Sequence, residues 1–339
     1  MLAGVNDRFN RPLKDLRISL TDRCNFRCVY CMPKAVFGTP THFLPAGEAM
    51  GREEIAKLVR ALSALGVHKV RLTGGEPLLQ HDIVPLVGDL AQISGIDDIA
   101  LTTKGSALSR ARAISLKDAG LTRVTVSIDS LDPNRFGRIN GVGFPVNRVL
   151  EAINNAAEAG LSPIKINVVI KRGLNVVDVV PLAKRFRFSG HTVRYIEYMD
   201  VGASNGWLPK DVVPAREILE MLSTEWPLHP VEPAYWGEVA SRYAYDDGGG
   251  EIGLISSVSQ PFCGTCTRAR LSADGRLLLC LFADEGVSLR DMMRRGATEQ
   301  DLIDTVRRIW KGRDDRYSDL RNGDSSRSTK RLERFQIGG

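Results

Sequence analysis

Residues 16–31 read LRISLTDRCNFRCVYC: an alternating run, Leu16, Ile18 and Leu20 against Arg17 and Ser19, followed at once by a loop holding Cys24, Cys28 and Cys31. Side chains alternate across a strand, so such a run has one apolar and one polar face. The same parity recurs downstream. Val70 and Leu72 alternate with Lys69, Arg71 and Thr73; Val124, Val126 and Ile128 with Thr125, Ser127 and Asp129; Ile166 and Val168 with Lys165 and Asn167. Strands are expected at 16–20, 68–73, 99–103, 123–129, 164–170 and 193–198. Helical spacing fills the gaps, as in Ile55, Leu58, Val59, Leu62 and Leu65, with Glu53 and Glu54 in the first turn and Gly66 as the stop.

Six βα units in series imply a largely parallel sheet whose apolar face is covered by helices, which turns the polar face inward. A closed barrel packs its interior with side chains. The expected class is therefore α/β, an incomplete (βα)6 TIM-like barrel around an open polar lumen. Arg17, Lys69, Arg71, Lys165 and Arg194 converge on that lumen, apart from any that pair with Asp129, Glu76 or Glu197. Several cations in a partly desolvated space require a polyanion, a triphosphate more than a single carboxylate.

After Met199 the pattern changes to a loop at 202–206, a helix at 213–222 and a Gly- and Asp-rich connection at 243–253. A hairpin around Asp274-Gly275 is expected over 270–282, then helices at 288–295 and 299–310. This divides the chain into a partial barrel (1–210), an α+β C-terminal extension carrying a second cysteine site (211–320) and a mobile basic tail (321–339) ending in Gly-Gly. The net charge is +6, and about half of it lies in the last 19 residues, where Arg321, Arg327, Lys330, Arg331 and Arg334 face Asp324 and Glu333. The rest of the chain is too close to neutral, and at 6% too poor in aromatics, for a nucleic-acid module. Apolar runs are strand-sized, far short of a membrane span.

The six cysteines fall into two triplets, Cys24/Cys28/Cys31 and Cys263/Cys266/Cys280. Disulfides would leave one cysteine over in each group and suit a secreted scaffold, whereas this composition suggests a reducing cytoplasm. Structural zinc takes four protein ligands, and each triplet is one short. An iron–sulfur cluster with three cysteine ligands leaves one iron open to a small molecule.

Here a resemblance becomes specific. Cys24-Asn-Phe-Arg-Cys28-Val-Tyr30-Cys31 resembles the C-x3-C-x-aromatic-C signature of the radical S-adenosylmethionine (SAM) superfamily, and Gly74-Gly75-Glu76-Pro77 resembles its GGEP motif. With Asp7-Arg-Phe, Met199-Asp-Val-Gly202, Cys263-Gly-Thr-Cys-Thr-Arg-Ala-Arg270 and the closing Gly338-Gly339, the whole chain resembles the radical SAM GTP 3′,8-cyclase family of molybdenum cofactor biosynthesis. One departure is Lys104, where the family usually has asparagine.

The resemblance implies SAM and two 4Fe-4S clusters as cofactors, the first cluster on Cys24, Cys28 and Cys31, the second on Cys263, Cys266 and Cys280. Tyr30, Gly75, Thr102, Ser127 and Met199 would line the SAM site. Arg17, Arg71, Lys165, Arg268 and Arg270 would meet GTP, joined by Lys69 and Arg194 of the inward face. Arg17, Arg268 and Arg270 with Gly338 and Gly339, carried in by the tail, would form the catalytic set. The implied reaction cyclises GTP to (8S)-3′,8-cyclo-7,8-dihydroguanosine 5′-triphosphate. Implied partners are GTP, a flavodoxin- or ferredoxin-like electron donor, a downstream cyclic pyranopterin monophosphate synthase and a second copy in a homodimer, with no nucleic acid or membrane. Two alternatives share some of these features: a radical SAM peptide-modifying enzyme with an auxiliary cluster, and a zinc-dependent nucleic-acid-binding module.

Overall fold

The computed structural model describes residues 4–38, 43–45, 47–321 and 331–338. The six expected strands form β1 (Asp15–Ser19), β2 (Lys69–Thr73), β3 (Asp98–Thr103), β4 (Arg123–Ser127), β5 (Lys165–Ile170) and β6 (Thr192–Glu197), adjacent in chain order and all parallel. Their outward residues, among them Ile18, Val70, Leu72, Val126, Ile166 and Val168, are completely buried. Helices cover them. Arg52–Ser63 buries Ile55, Leu58, Val59 and Leu62, and Val146–Glu158 buries Val149 and Ile153. Each such side chain contributes about 1.5–3 kcal/mol on leaving water. The first of these helices starts where the Glu54 carboxylate accepts the Gly51 N–H at 2.9 Å, with a second acid, Glu53, complementing the helix dipole.

The C-terminal part supplies β7 (Leu228–Val231), β8 (Ser241–Tyr245), β9 (Glu251–Ile255), β10 (Arg268–Leu271), β11 (Arg276–Leu278) and β12 (Val287–Ser288). These strands extend the same sheet at both edges, giving the order β12-β11-β10-β1-β2-β3-β4-β5-β6-β9-β8-β7. β10 lies parallel on β1 and β9 parallel on β6. The sheet stays open because β9 and β10 do not pair with each other, yet residues of both strands line one cavity with β1, β2 and β6. It therefore curves into a partial barrel, as the α/β reading expects.

Three expectations need correction. The Gly- and Asp-rich stretch 243–253 is a hairpin, β8 paired antiparallel with β9 across Tyr245-Asp-Asp-Gly-Gly-Gly250; the turn chemistry hides two short strands. Cys280 stands beyond the end of β11, although β10 and β11 do form the hairpin around Asp274-Gly275. Arg321 and Arg331, assigned by composition to a mobile tail, are anchored. Both donate to the buried Asp200 carboxylate, at 3.1 and 3.3 Å, and Arg331 also donates to the Tyr317 hydroxyl at 2.6 Å. A buried carboxylate reached by two guanidiniums outweighs the polar composition of the segment. The helix Arg334–Ile337 then buries Phe335 and Ile337. Residues 322–330 and Gly339 lie outside the described residues.

Candidate functional site

The loop after β1 carries the first cysteines into a cavity of about 700 Å³ at the carboxyl end of the strands, lined by Cys24, Cys28, Cys31, Tyr30, Gly75 and Ser127 among others. Backbone bonds fix this loop against the end of the helix Pro133–Asn140, with Arg27 N–H on Asn140 O at 2.8 Å and Val29 N–H on Ile139 O at 3.1 Å. The Arg27 side chain closes it from the other side through the carbonyls of Cys24 and Phe37, at 2.6 and 2.9 Å. Tyr30 is buried and donates its hydroxyl to Asp129 at 2.5 Å; the other oxygen of Asp129 accepts the Val169 N–H at 2.8 Å.

Gly75 is glycine for a visible reason. Its N–H reaches Thr21 O at 2.7 Å, and a Cβ there would stand 2.2 Å from Arg23 O. The Gly74-Gly75 loop thus packs backbone against backbone on the residues leading into Cys24. Glu76 completes the corner. Fully buried, it accepts from Leu78 N, the Thr103 hydroxyl and Lys104 N at 3.0, 2.6 and 2.7 Å, and burial pushes its carboxyl up.

A second cavity of about 1050 Å³ holds Cys263, Cys266 and Cys280 together with Arg17, Arg71, Arg194, Arg268 and Arg270. Sheet register explains the arginines. Arg270, Arg17 and Arg71 are direct neighbours across β10, β1 and β2, one continuous row of guanidiniums. The row one step toward the strand starts, Arg268, Asp15, Lys69 and Asp98, alternates in sign. Asp15 and Asp98 lie 3.6 and 3.8 Å from Lys69. In the upper row Arg71 meets neutral acceptors, donating to the Thr102 and Thr125 hydroxyls at 3.0 and 3.2 Å, and elsewhere in the cavity Arg194 donates to Asn167 at 3.0 Å. Their charge is therefore uncompensated. Burial and then the neighbouring Arg268 and Arg71 lower Arg17 to about 9; burial, then Arg123 and Arg194, lower Arg71 to about 9 as well. This space attracts an anion of several charges.

Lys69 and Lys165 do not line this cavity. Lys69 lies in the alternating row with its ammonium 3.9 Å from the centre of the Tyr235 ring. Lys165 opens β5, and burial, then Arg194 and Arg123, lower it to about 7. Thr102 lines both cavities and Met199 the arginine one. The carboxylates of Asp129, Glu76 and Glu197 are taken up by local donors; Glu197 accepts from Ala215, Val258 and Ser259 N–H groups. Gly338 is the predicted tail residue that can be placed. Its carbonyl accepts from Arg270, and Ser19 donates to Phe335 O at 3.3 Å. Arg334 of the same helix lines both cavities, as do Thr102, Asn167 and Ile196, so the two compartments share a wall.

Sequence reading missed what stands behind the second triplet. Asp7 and Arg11, each with a completely buried side chain, pair at 2.6 Å, and Arg313 reaches the same carboxylate oxygen at 3.3 Å. From there Arg11 donates to Cys263 O at 2.8 Å, and Arg313 to Cys266 O at 2.8 Å and Cys266 Sγ at 3.2 Å. Arg268 donates to the same sulfur at 3.2 Å. Only the i,i+4 spacing of Asp7 and Arg11 was available as a local hint. Removing the shared carboxylate strands two buried guanidiniums, a loss of about 3–5 kcal/mol. Asp7→Ala is therefore expected to lower the unfolding free energy by that amount in denaturant titration.

The donor sets fit iron–sulfur clusters. All six cysteines are free thiols, and three line each cavity. Three cysteines around one cavity suit a cubane, whose three ligands are spread over three irons. Burial pushes Cys24 and Cys28 up to about 12 and Cys280 to about 11, while at Cys266 the charges of Arg268 and Arg313 outweigh burial and hold the thiol near 6. Loading would therefore release protons.

Comparison with known proteins shows the family. Residues 18–186 match the Radical SAM superfamily profile, and residues 191–319 match Molybdenum Cofactor Synthesis C. The chain is 51% identical to a GTP 3′,8-cyclase of Acidothermus cellulolyticus over 97% of this chain and 91% of that protein. It is 47% identical to a GTP 3′,8-cyclase of Xanthomonas campestris over 99% and 98%. In fold it is similar to Streptococcus suis SuiB bound to S-adenosylmethionine, with a TM-score of 0.56 over 94% of this chain and 68% of that one at 14% identity.

Proposed function

The chain belongs to the GTP 3′,8-cyclase family, and from that premise we propose that its two cavities divide the reaction, SAM beside the cluster of Cys24, Cys28 and Cys31, and GTP beside the cluster of Cys263, Cys266 and Cys280. As a family member it is a radical SAM enzyme that converts GTP to (8S)-3′,8-cyclo-7,8-dihydroguanosine 5′-triphosphate, the first step of molybdenum cofactor biosynthesis. The observation that carries the division of labour is the shared wall, which sets the two three-thiol compartments side by side. When bound, SAM and its reduced cluster supply a hydrogen-abstracting radical.

The chain's own residues bind and orient. The guanidinium row of Arg270, Arg17 and Arg71 receives the triphosphate through forked, charge-assisted hydrogen bonds, with Arg194 and Arg268 beside it. Tyr30, Gly75, Thr102 and Ser127 frame SAM, and Met199, expected there too, stands instead in the arginine cavity. Gly338 enters on the tail beside Arg270, and Gly339, outside the described residues, completes the proposed catalytic set. Residues 1–210 thereby carry the SAM half, 211–320 the second cluster and 321–339 the tail. Lys69, one row below, and Lys165, at the start of β5, act on GTP through the field they add. A flavodoxin- or ferredoxin-like protein supplies the electron, a cyclic pyranopterin monophosphate synthase takes the product, and the enzyme works as a cytoplasmic homodimer. Among the described residues no helix is long and apolar enough to cross a membrane.

Lys165 offers a test that does not depend on turnover. At about 7 it is mostly neutral at pH 8; a triphosphate nearby favours the charged form, so GTP binding at pH 8 draws in a proton. Calorimetry in two buffers of different ionisation enthalpy is expected to show this uptake, and Lys165→Met to remove it. Binding with no proton uptake by the unmodified protein would refute the placement of the triphosphate.

A further inference from the structure

Lys104 follows β3 and lines the first cavity with Cys24, Cys28, Cys31 and Asp129. Its backbone is held on both sides: its own N–H donates to Glu76 at 2.7 Å, and the Gly105 N–H donates to the Thr103 hydroxyl at 2.9 Å. Its ammonium has no such tie. Among the described residues it is in no ion pair or side-chain hydrogen bond. The two nearby carboxylates are already engaged, Asp129 by Tyr30 and the Val169 N–H, Glu76 by Leu78, Thr103 and the Lys104 N–H. Among the described residues Arg334, which arrives on the tail, is a second cation near Cys28 and Cys31.

A cation in a partly desolvated cavity needs anions around it, and thiolates carrying a cluster are the anions this cavity would gain. We propose that Lys104 is a positioning residue for charge, the fixed positive group that sets the reduction potential of the cluster held by Cys24, Cys28 and Cys31. The inference rests on the assignment of that cluster to these cysteines. In the step concerned, one electron passes from a one-electron donor of the flavodoxin or ferredoxin class to the cluster. The net charge there becomes one unit more negative, the donor is oxidised by one electron, and no proton or bond is exchanged. A neighbouring ammonium stabilises the reduced, more negative form and so raises the potential.

The test is potentiometric titration of the reconstituted full-length protein, followed by EPR. Lys104→Gln is expected to make reduction of the first cluster about tenfold less favourable, a downward shift of about 59 mV for a one-electron couple. Iron content and the potential of the second cluster should stay the same, and Lys104→Arg should restore most of the shift. Lys104→Asn serves as a second charge-removing variant if the glutamine protein loads poorly. An unchanged first-cluster potential in fully loaded protein, or a shift confined to the second cluster, would overturn the proposal. A variant with Cys24, Cys28 and Cys31 all changed to alanine separates the two readings: loss of about half the iron, together with the signal that moves in Lys104→Gln, upholds the assignment, whereas full iron would mean that the cluster assignment itself has failed.

Discussion

Gly338→Ala is expected to cut turnover by about a hundredfold or more while leaving both clusters assembled. Gly338 has φ of +68°, a conformation side chains rarely adopt, and a Cβ there would stand 2.4 Å from Thr73 Cγ2, on the strand that leads into the Gly74-Gly75 loop. Its carbonyl is an acceptor for Arg270, in the guanidinium row. The added methyl must push the chain end outward. That separates Arg270 from its partner and moves the helix holding Arg334, a residue of both cavities. Displacements of about 1 Å at a reacting site cost on the order of 10² in rate. The anchors farther back, Arg321 and Arg331 on the buried Asp200, should hold. Iron analysis with single-turnover rates separates the two effects, and normal turnover in the alanine variant would show that the tail is a bystander.

Arg17→Met is expected to bind GTP about a hundredfold more weakly and yet to be more stable without ligand, by about 1–4 kcal/mol, the range seen when buried charges give way to apolar side chains. Arg17 sits between Arg270 and Arg71 in the sheet, and both Arg268 and Arg71 repel its charge. Methionine of similar length removes the repulsion and keeps the packing. It also removes charge-assisted bonds to phosphate, worth about 1.5–3 kcal/mol each, and 2.7 kcal/mol is about a hundredfold in affinity. Denaturant titration and GTP calorimetry on the same preparation should move in opposite directions. A variant that lost stability along with affinity would mean that Arg17 serves the fold.

Much of this was readable from local pattern. Alternation along 16–20, 68–73 and 164–170 revealed which residues face the lumen because strand geometry fixes parity within a few residues. Parity gives the face and not the depth. Lys69 and Arg71 share a face, yet one falls in the row of alternating charge with Asp15 and Asp98 and the other in the row with Arg17 and Arg270. Which acids enter which row depends on register between strands far apart in sequence. The attachment of β9 to β6 and β10 to β1 is likewise a long-range pairing with no local signature. The Asp7, Arg11 and Arg313 cluster behind Cys263 and Cys266 joins residues some 300 positions apart. The cysteines themselves were fully legible, since close spacing in sequence already holds most of each triplet together.

The central claim is that two adjacent three-cysteine cavities join SAM chemistry to GTP. Its most direct measurement is anaerobic incubation of reconstituted protein, verified to hold about eight irons per chain, with GTP, SAM and a one-electron reductant. The account predicts 5′-deoxyadenosine and a cyclised nucleotide formed together, and both lost when GTP is omitted or when Cys266 is replaced by serine. Fully loaded protein that yields 5′-deoxyadenosine at the same rate without GTP, and no cyclised nucleotide with it, would contradict the account.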